Sequence, residues 1–317
     1  MRRDDARTLI TGANGFVGSA LMARLQAEGL WPLGTCRGPS LVEGCVSAPP
    51  LEAGGDWSGL LTGVGTVVHT AARVHVMRDT SSNPLDAFRA VNVKGSLNLA
   101  RQAASAGVRR FVFISSVKVN GDETRHGRPF AAGDDPAPED AYGISKAEAE
   151  AGLKAISAET GMEFVIIRPP LVYGPGVKGN FAAMMRAVAR GLPLPFGAVT
   201  DNRRSLVGLD NLVDLIVTCI DHPAAANQTF MVSDGENLST ADLLRRLGVA
   251  MGKPARLLNI PPALLGAAAA MIGKRAVAQR LLGNLQVDIS HTCSTLGWKP
   301  PISVDEGLRR AVQGAMQ

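Results

Sequence analysis

Three glycines near the beginning of the chain restrict the fold more than any other feature does. Gly12, Gly15 and Gly18 recur in Thr-Gly-Ala-Asn-Gly-Phe-Val-Gly, between a short apolar run and an amphipathic helical pattern. In such a strand–loop–helix unit the glycines permit a tight turn, close approach to a pyrophosphate and close helix packing. The helix N-terminus then favours the anion. A merely structural turn is the alternative, but the context predicts a dinucleotide-binding loop with candidate contacts at Gly12, Asn14, Gly15, Phe16 and Val17.

The first half of the chain alternates short apolar runs with helical patterns, which is typical of βαβ units and a parallel sheet. The sequence predicts an α/β fold with a Rossmann-type, doubly wound sheet, including a strand at Leu33–Cys36 and helices at 92–106 and 141–159. After about residue 170 prolines and glycines cluster, which indicates a smaller second lobe. We expect a dinucleotide-binding domain of residues 1–170 with a return segment at about 208–233, and a substrate-binding domain of residues 171–207 and 234–317.

The residues after the second predicted strand bear on the choice of cofactor. An acidic residue commonly binds the adenosine ribose at this point, but here Thr-Cys is followed by Arg37. A guanidinium can bind a 2′-phosphate, which tilts the expectation toward NADPH and leaves NADH open. Stacking of Arg37 on adenine is the alternative. Asp56 and the adjacent Trp57 are candidate adenosine contacts, or they belong to an ordinary loop.

A tyrosine and a lysine lie four residues apart in Tyr-Gly-Ile-Ser-Lys. On a helix this spacing places Tyr142 and Lys146 on one face. An ammonium lowers the pKa of a nearby phenol, so Tyr142 is expected to give a proton to a carbonyl oxygen as hydride arrives, or to take one in the reverse direction. A hydroxyl is also needed beside that oxygen, and Ser115 and Ser116 follow the apolar run Phe-Val-Phe-Ile. The order of glycine loop, serines and Tyr–Lys pair predicts hydride-transfer chemistry rather than a chance surface pair.

Composition excludes several other classes of protein. A net charge of +5 is spread along the chain, and aromatic residues make up only 4%, which argues against nucleic-acid binding. No apolar leader follows the basic N-terminus, and the cysteines form no C-x-x-C pair, which indicates a cytoplasmic enzyme without a metal site. The four cysteines are Cys36, Cys45, Cys219 and Cys293.

The apolar, alanine-rich segment 257–273 requires a separate test for membrane insertion. It contains Pro261 and Pro262 and falls short of the roughly 20 residues needed to span a bilayer. We therefore expect no membrane span, and a buried or interface helix that begins after the prolines.

The whole chain resembles the extended short-chain dehydrogenase/reductases, a family of nucleotide-sugar epimerases, dehydratases and reductases. The matching segments are residues 11–18, His-Thr-Ala-Ala at 69–72, Val-Asn-Val-Lys-Gly at 91–95, the two serines, Tyr142 to Lys146, and residues 168–175. The resemblance implies that Ser116 is the catalytic hydroxyl and Ser115 its structural neighbour. It also implies a homodimer through paired helices and cofactor contacts at Ala71, Ala72, Asn92, Tyr142, Lys146 and Pro169.

The resemblance further implies a UDP-linked sugar as substrate. Asn180 and Arg204 match residues that contact the diphosphate, and Arg280 is a second candidate in a loop that departs from the common pattern. Ordinary surface salt bridges are the alternative for both arginines. A closer likeness to bacterial 4-ketoreductases of surface-polysaccharide synthesis, which act on UDP-4-keto-6-deoxy-N-acetylglucosamine, covers residues 71–77, 115–121 and 286–288. It makes Arg73, His75 and Lys118 pocket candidates, although His75 suits an ordinary loop equally well.

Two other functions compete with the 4-ketoreductase hypothesis. A UDP-sugar 4-epimerase uses the same residues and keeps its NAD bound; such enzymes usually carry Thr and Tyr where Lys118 and Asn120 stand here. A non-catalytic dinucleotide sensor is the remote alternative, which the retained Ser–Tyr–Lys set disfavours. A dehydratase is expected to carry Asp and Glu after Ser116, whereas Val117 and Lys118 follow it.

Overall fold

The computed structural model describes residues 7–38, 42–74 and 83–316. Its strands are β1 (Arg7–Thr11), β2 (Leu33–Cys36), β3 (Cys45–Ser47), β4 (Val64–His69), β5 (Arg110–Ile114), β6 (Glu163–Arg168), β7 (Leu171–Tyr173), β8 (Arg204–Gly208), β9 (Gln228–Met231) and β10 (Asn237–Leu238). Its α-helices are α1 (Phe16–Ala27), α2 (Ser58–Leu61), α3 (Pro84–Phe88), α4 (Ser96–Ser105), α5 (Ala141–Thr160), α6 (Gly179–Ala189), α7 (Leu209–Asp221), α8 (Thr240–Ala250), α9 (Pro262–Met271), α10 (Arg275–Leu282), α11 (Ser290–Leu296) and α12 (Val304–Met316).

Seven parallel strands form the large sheet of the described chain, in the order β3-β2-β1-β4-β5-β6-β9. This is the doubly wound, Rossmann-type arrangement that the sequence predicts. The strand order reverses between β1 and β4, where ligands bind beyond the carboxyl ends of the strands in folds of this kind. A smaller sheet of β10, β8 and β7 belongs to the second half of the chain. The domain boundaries stay a prediction.

Helices cover both faces of the large sheet. Its strands carry apolar residues at adjacent positions, and because neighbouring side chains point to opposite faces, both faces of the sheet are apolar. Leu9 packs with residues of α4 and α5 on one face, and its neighbour Ile10 packs with residues of α1 and α7 on the other. A separate apolar cluster joins α6, α8 and α12 around the small sheet. The two-sided core fixes the strand ends that carry the candidate site.

The segment 257–273 forms a helix after its prolines, as predicted. Of the two expected placements of this helix, the buried one is wrong and the interface one stays a prediction. In α9 every residue is exposed or half-buried, although all ten are apolar. Among the described residues, no helix has the length and hydropathy needed to cross a membrane.

A buried ion pair ties α5 to the neighbouring strand β6. The Arg168 guanidinium donates to both carboxylate oxygens of Glu150, at 3.0 and 2.6 Å, and both side chains are almost fully buried. Arg168 also donates to Asn120 Oδ1, and the Ser115 hydroxyl donates to Glu150 at 2.5 Å. The network therefore fixes α5 against the ends of β5 and β6.

Glu150→Gln should lower the free energy of unfolding by about 3–5 kcal/mol, because Arg168 would keep its charge in a buried position without a carboxylate. Denaturant unfolding measures the loss. Glu148→Gln is the matched control, since Glu148 pairs with Arg89 at the surface of the same helix and should cost much less. Equal losses in the two variants would contradict the role of burial.

Candidate active site

The glycine loop has the shape required for a bound pyrophosphate. Gly12 has a φ of +71°, and a Cβ at Gly18 would lie 2.2 Å from the Gly12 carbonyl oxygen, so a side chain fits at neither position. Gly15 donates its N–H to Gly12 O at 2.8 Å and caps α1 without a side chain. Asn14 is exposed, and Phe16 and Val17 begin the helix. The open helix N-terminus offers N–H groups to an anion, which fits a dinucleotide.

The predicted adenosine contacts lie beyond β2 and just before α2. Arg37 is exposed at the end of the strand. The Asp56 carboxylate is also exposed and accepts hydrogen bonds from the backbone and the hydroxyl of Ser58, which lower its pKa. Trp57 is buried, and its backbone N–H donates to Gln102 Oε1 at 2.8 Å. The charged groups of Arg37 and Asp56 are therefore accessible to a ligand, whereas the Trp57 side chain belongs to the core.

His69 links the glycine loop to the helix that follows β4. One ring nitrogen lies 2.6 Å from the Thr11 hydroxyl and the other 2.9 Å from the Ser96 hydroxyl. The ring stacks on Phe113 and is fully buried. Burial, aided by the charge of Lys146, lowers the pKa of His69 to about 3. The neutral imidazole thus bridges two hydroxyls beneath the predicted cofactor loop.

Asn92 holds the segment predicted to contact the cofactor, Ala71 and Ala72, by bonding to Arg73, the residue that follows them. Its Oδ1 accepts from the Arg73 backbone N–H at 2.8 Å, and its Nδ2 donates to the Arg73 carbonyl and to the Ser145 hydroxyl. A π-helix, Arg89–Gly95, surrounds Asn92 where the sequence predicts the start of a regular helix. The Asn92 amide is therefore committed to protein groups, which indicates a positioning role in this structure.

Lys146, on α5, is buried against the end of β5. Its ammonium donates to the Ile114 carbonyl at 2.7 Å and lies 4.1 Å from the centroid of the Phe113 ring. Burial lowers the pKa of Lys146 to about 7, although the charge of Glu150 opposes the shift. Lys146 is therefore expected to change its charge near neutral pH.

Tyr142 lies one helical turn before Lys146 and is half-buried. Its ring packs edge-on against Phe88, with centroids 6.0 Å apart, and Phe88 also receives the guanidinium of Arg73 at 5.7 Å. The sequence predicts a lowered Tyr142 pKa, but burial and the charge of Asp140 raise it in this structure. The predicted direction is wrong because burial disfavours the charged phenolate, and the negative charge of Asp140 adds to that effect.

The two serines after β5 have different hydrogen-bond partners. Ser115 Oγ donates to the buried Glu150, whereas Ser116 Oγ accepts from the Lys118 backbone N–H at 3.2 Å and caps a short 3₁₀ turn. Val117, the next residue, donates its N–H to the Pro169 carbonyl at 3.0 Å. Ser115 is thus part of the buried network, and the Ser116 hydroxyl hydrogen is available for donation to a ligand.

Lys118 forms ion pairs with two carboxylates. Its ammonium lies 2.7 Å from Asp122 and 2.6 Å from Asp140. Asp140 also accepts the Gly143 N–H and caps α5 just before Tyr142. Lys118 therefore supports the start of α5 in this structure, and its substrate contact stays a prediction. His75 lies outside the described residues.

The predicted phosphate-binding groups of the second lobe lie on β8, α10 and α6. Arg204 donates to the Gly283 carbonyl at 3.1 Å, and burial lowers its pKa; Glu123 opposes the shift, while Arg280 adds to it. Because Arg280 acts on Arg204 through its charge, the two guanidiniums are close enough to repel each other. A bound anion would relieve that repulsion. Asn180 is exposed in the first turn of α6.

Sequence reasoning missed several residues that organise the site. His69, Glu150 and Arg168 were not assigned partners, and Asp140 and Glu123 were not singled out at all. The polar side chains inside the apolar strands β4 and β6 were a usable signal, because buried polar groups need partners. No group of three or more potential metal ligands occurs among the described residues.

The profile of the NAD dependent epimerase/dehydratase family matches residues 8–233. The chain belongs to this family of NAD-dependent enzymes.

Individual proteins and solved structures are also similar to this chain. A UDP-glucose 4-epimerase of Vibrio cholerae is 49% identical, with 98% of this chain and 95% of that protein covered. The solved UDP-glucose 4-epimerase of Thermotoga maritima with UDP-glucose has a TM-score of 0.79 at 22% identity, covering 98% of each chain. A UDP-glucuronic acid 4-epimerase of Bacillus cereus with NAD has a TM-score of 0.78 at 19% identity, covering 98% of this chain and 99% of that one. These relatives support the family and the fold, but not the predicted reductase subtype.

His69→Gln should weaken the acid sensitivity of folding. Since the His69 pKa is about 3 in the folded chain and about 6.5 in an unfolded one, only the unfolded state gains this proton between those values. His69 therefore removes up to about 1.4 kcal/mol of stability per pH unit as the pH falls through that window. Denaturant unfolding at pH 7 and pH 5 measures the slope. His291→Gln, at an exposed histidine, is the control; an unchanged slope in His69→Gln would refute the neutral bridge.

Proposed function

We propose that this chain is a UDP-sugar 4-epimerase of the UDP-glucose type that keeps NAD bound through catalysis. The observation that carries the proposal is the 49% identity, over almost the whole chain, to the Vibrio cholerae UDP-glucose 4-epimerase. The predicted set of Ser116, Tyr142 and Lys146 supplies the chemistry that this activity needs. The earlier 4-ketoreductase hypothesis becomes the second candidate.

The residues of the first lobe fit the cofactor and hold it at the carboxyl edge of the large sheet. The glycine loop and the N-terminus of α1 bind the diphosphate, and Ala71 and Ala72 pass beside it. Asp56 and Arg37 contact the adenosine end, where the exposed guanidinium leaves NADPH open as an alternative. A bound NAD would supply the acceptor and donor of the hydride that is exchanged with the sugar C4.

Tyr142 and Ser116 act on the sugar 4-oxygen. Tyr142 takes the hydroxyl proton as C4 is oxidised and returns a proton as C4 is reduced on its other face. The Ser116 hydroxyl donates a hydrogen bond to the oxygen and stabilises the charge that develops there. Lys146, one turn away, stabilises the phenolate in its ammonium form. The raised pKa of Tyr142 favours the protonated phenol, which suits the return of a proton during reduction. The uptake of a proton during oxidation requires the Lys146 ammonium to offset that shift.

The second lobe binds the diphosphate of the UDP-sugar. Arg204 and Arg280 supply adjacent positive charges, and Asn180 supplies amide hydrogen bonds from the start of α6. Arg73, beside Phe88 and Tyr142, contacts the sugar, and His75 and Lys118 are weaker candidates for that pocket. The homodimer through paired helices also stays part of the proposal.

The direct test uses purified protein without added cofactor. An epimerase converts UDP-glucose to UDP-galactose, which NMR detects, and releases NAD only on denaturation. A 4-ketoreductase, which Lys118 and Asn120 favour, instead consumes NADPH or NADH with a UDP-4-keto sugar. Consumption of a reduced cofactor without epimerisation would overturn the main proposal.

Tyr142→Phe should lower kcat about 10²- to 10⁴-fold, because the only proton acceptor proposed for the 4-oxygen is lost. The amount of NAD that co-purifies should be unchanged, since the phenol hydroxyl is not needed to hold the diphosphate. Steady-state kinetics and the absorbance of released cofactor measure both quantities. Wild-type turnover in this variant would refute the assignment.

Arg204→Met should raise KM for the UDP-sugar by about 10- to 100-fold, because charge-assisted bonds to the diphosphate are lost. Arg203→Met is the matched control on the adjacent residue, whose guanidinium donates to the backbone of Thr200 and Asn202 instead. Equal KM values for the two variants would exclude Arg204 from the binding site.

A further inference from the structure

The exposed helix α9 forms an apolar surface that the fold leaves uncovered. Leu264 is 61% exposed, Met271 is 82% exposed and Ile272, directly after the helix, is 67% exposed. The ten residues of α9 include no polar side chain, and the helix packs against α10. Single exposed apolar residues are ordinary on protein surfaces, but a whole apolar helix at the surface indicates that another phase or molecule covers it.

The segment around α9 carries positive charge alone. Residues 253–287 contain five Lys and Arg residues and no Asp or Glu, in a chain whose other residues include 28 acidic ones. Lys274 and Arg275 lie three and four residues after Met271, the last residue of α9, and both are exposed. The basic residues of the segment are Lys253, Arg256, Lys274, Arg275 and Arg280.

We propose that α9 and its basic flank dock this protein on an anionic lipid membrane surface. The helix is about 15 Å long, so it cannot span the bilayer and lies in the plane of the headgroups. Its leucine and methionine side chains enter the acyl boundary, while Lys274 and Arg275 contact lipid phosphates. Each basic group near such a surface strengthens binding by about fivefold.

Charge favours a lipid surface over a second copy of the chain. A two-fold contact through α9 would bring the same basic flank of each copy together, and no acidic residue of the segment 253–287 could neutralise it. An anionic membrane supplies the opposite charge and an apolar phase in one surface. The surface also lies near the proposed phosphate site, since Arg280 of α10 acts electrostatically on Arg204.

Vesicle co-sedimentation of the full chain tests the proposal. The protein should bind vesicles of phosphatidylglycerol and phosphatidylcholine at low salt, bind pure phosphatidylcholine at least about tenfold more weakly, and dissociate as salt rises. Met271→Glu should weaken binding by at least about tenfold. Lys274→Glu should weaken it by at least about fivefold. Turnover of soluble UDP-glucose should be unchanged in both variants, so this result does not depend on the proposed activity.

Two control variants separate the α9 surface from general surface effects. Val249→Glu changes an apolar residue that is 81% exposed on α8, which matches the exposure of Met271. Lys154→Glu reverses an exposed lysine on α5. Both controls should keep wild-type vesicle binding. The proposal is overturned if wild-type protein binds no anionic vesicles, if the controls lose binding equally, or if Met271→Glu only dissociates an oligomer in analytical ultracentrifugation.

Discussion

One face of α5 carries the polar groups that set the geometry of the candidate site. Tyr142, Lys146 and Glu150 follow one another at four-residue spacing and project from the same side of the helix. Glu150 accepts hydrogen bonds from Arg168 at the end of β6 and from Ser115 just after β5, while Lys146 donates to Ile114. A rotation or shift of α5 would leave buried charges without partners. The positions of the phenol and the ammonium relative to the sheet edge therefore follow from a stabilising network that does no chemistry itself.

Burial shifts the pKa values of Tyr142 and Lys146 in opposite directions, because it disfavours the charged form of each group. The pKa of Lys146 falls to about 7, and that of Tyr142 rises. The site thus holds a neutral phenol one helical turn from an amine that titrates near neutrality. A buried lysine over the Phe113 ring costs stability that an apolar residue would not, and such local conflicts are typical of functional sites.

The sequence was informative where structure depends on local pattern. The strand Leu33–Cys36 has its predicted bounds, and the helix predicted at 141–159 is one residue longer, ending at Thr160. The short strands β7 and β8 were missed because they have only three and five residues and so give little local pattern. The π-helix was missed because the contacts of Asn92 within it, to Arg73 and Ser145, are tertiary and leave no local pattern. The direction of the Tyr142 pKa shift was wrong for the same reason, since a spacing of four residues reveals a neighbour but not the degree of burial.

Epimerase and reductase cannot be separated by the catalytic residues, because both activities require the same proton transfer at the same oxygen. They differ in what happens to the cofactor. An epimerase takes a hydride and returns it, so each turnover ends with the cofactor unchanged and its release serves no purpose. A reductase exchanges its cofactor in every cycle, and such release steps limit many turnover rates. We therefore expect the distinction to lie at the proposed adenosine contacts, where Arg37 and Asp56 are exposed, and in the proposed contacts to the diphosphate. Stronger binding there would increase cofactor retention without altering the chemistry proposed for Tyr142.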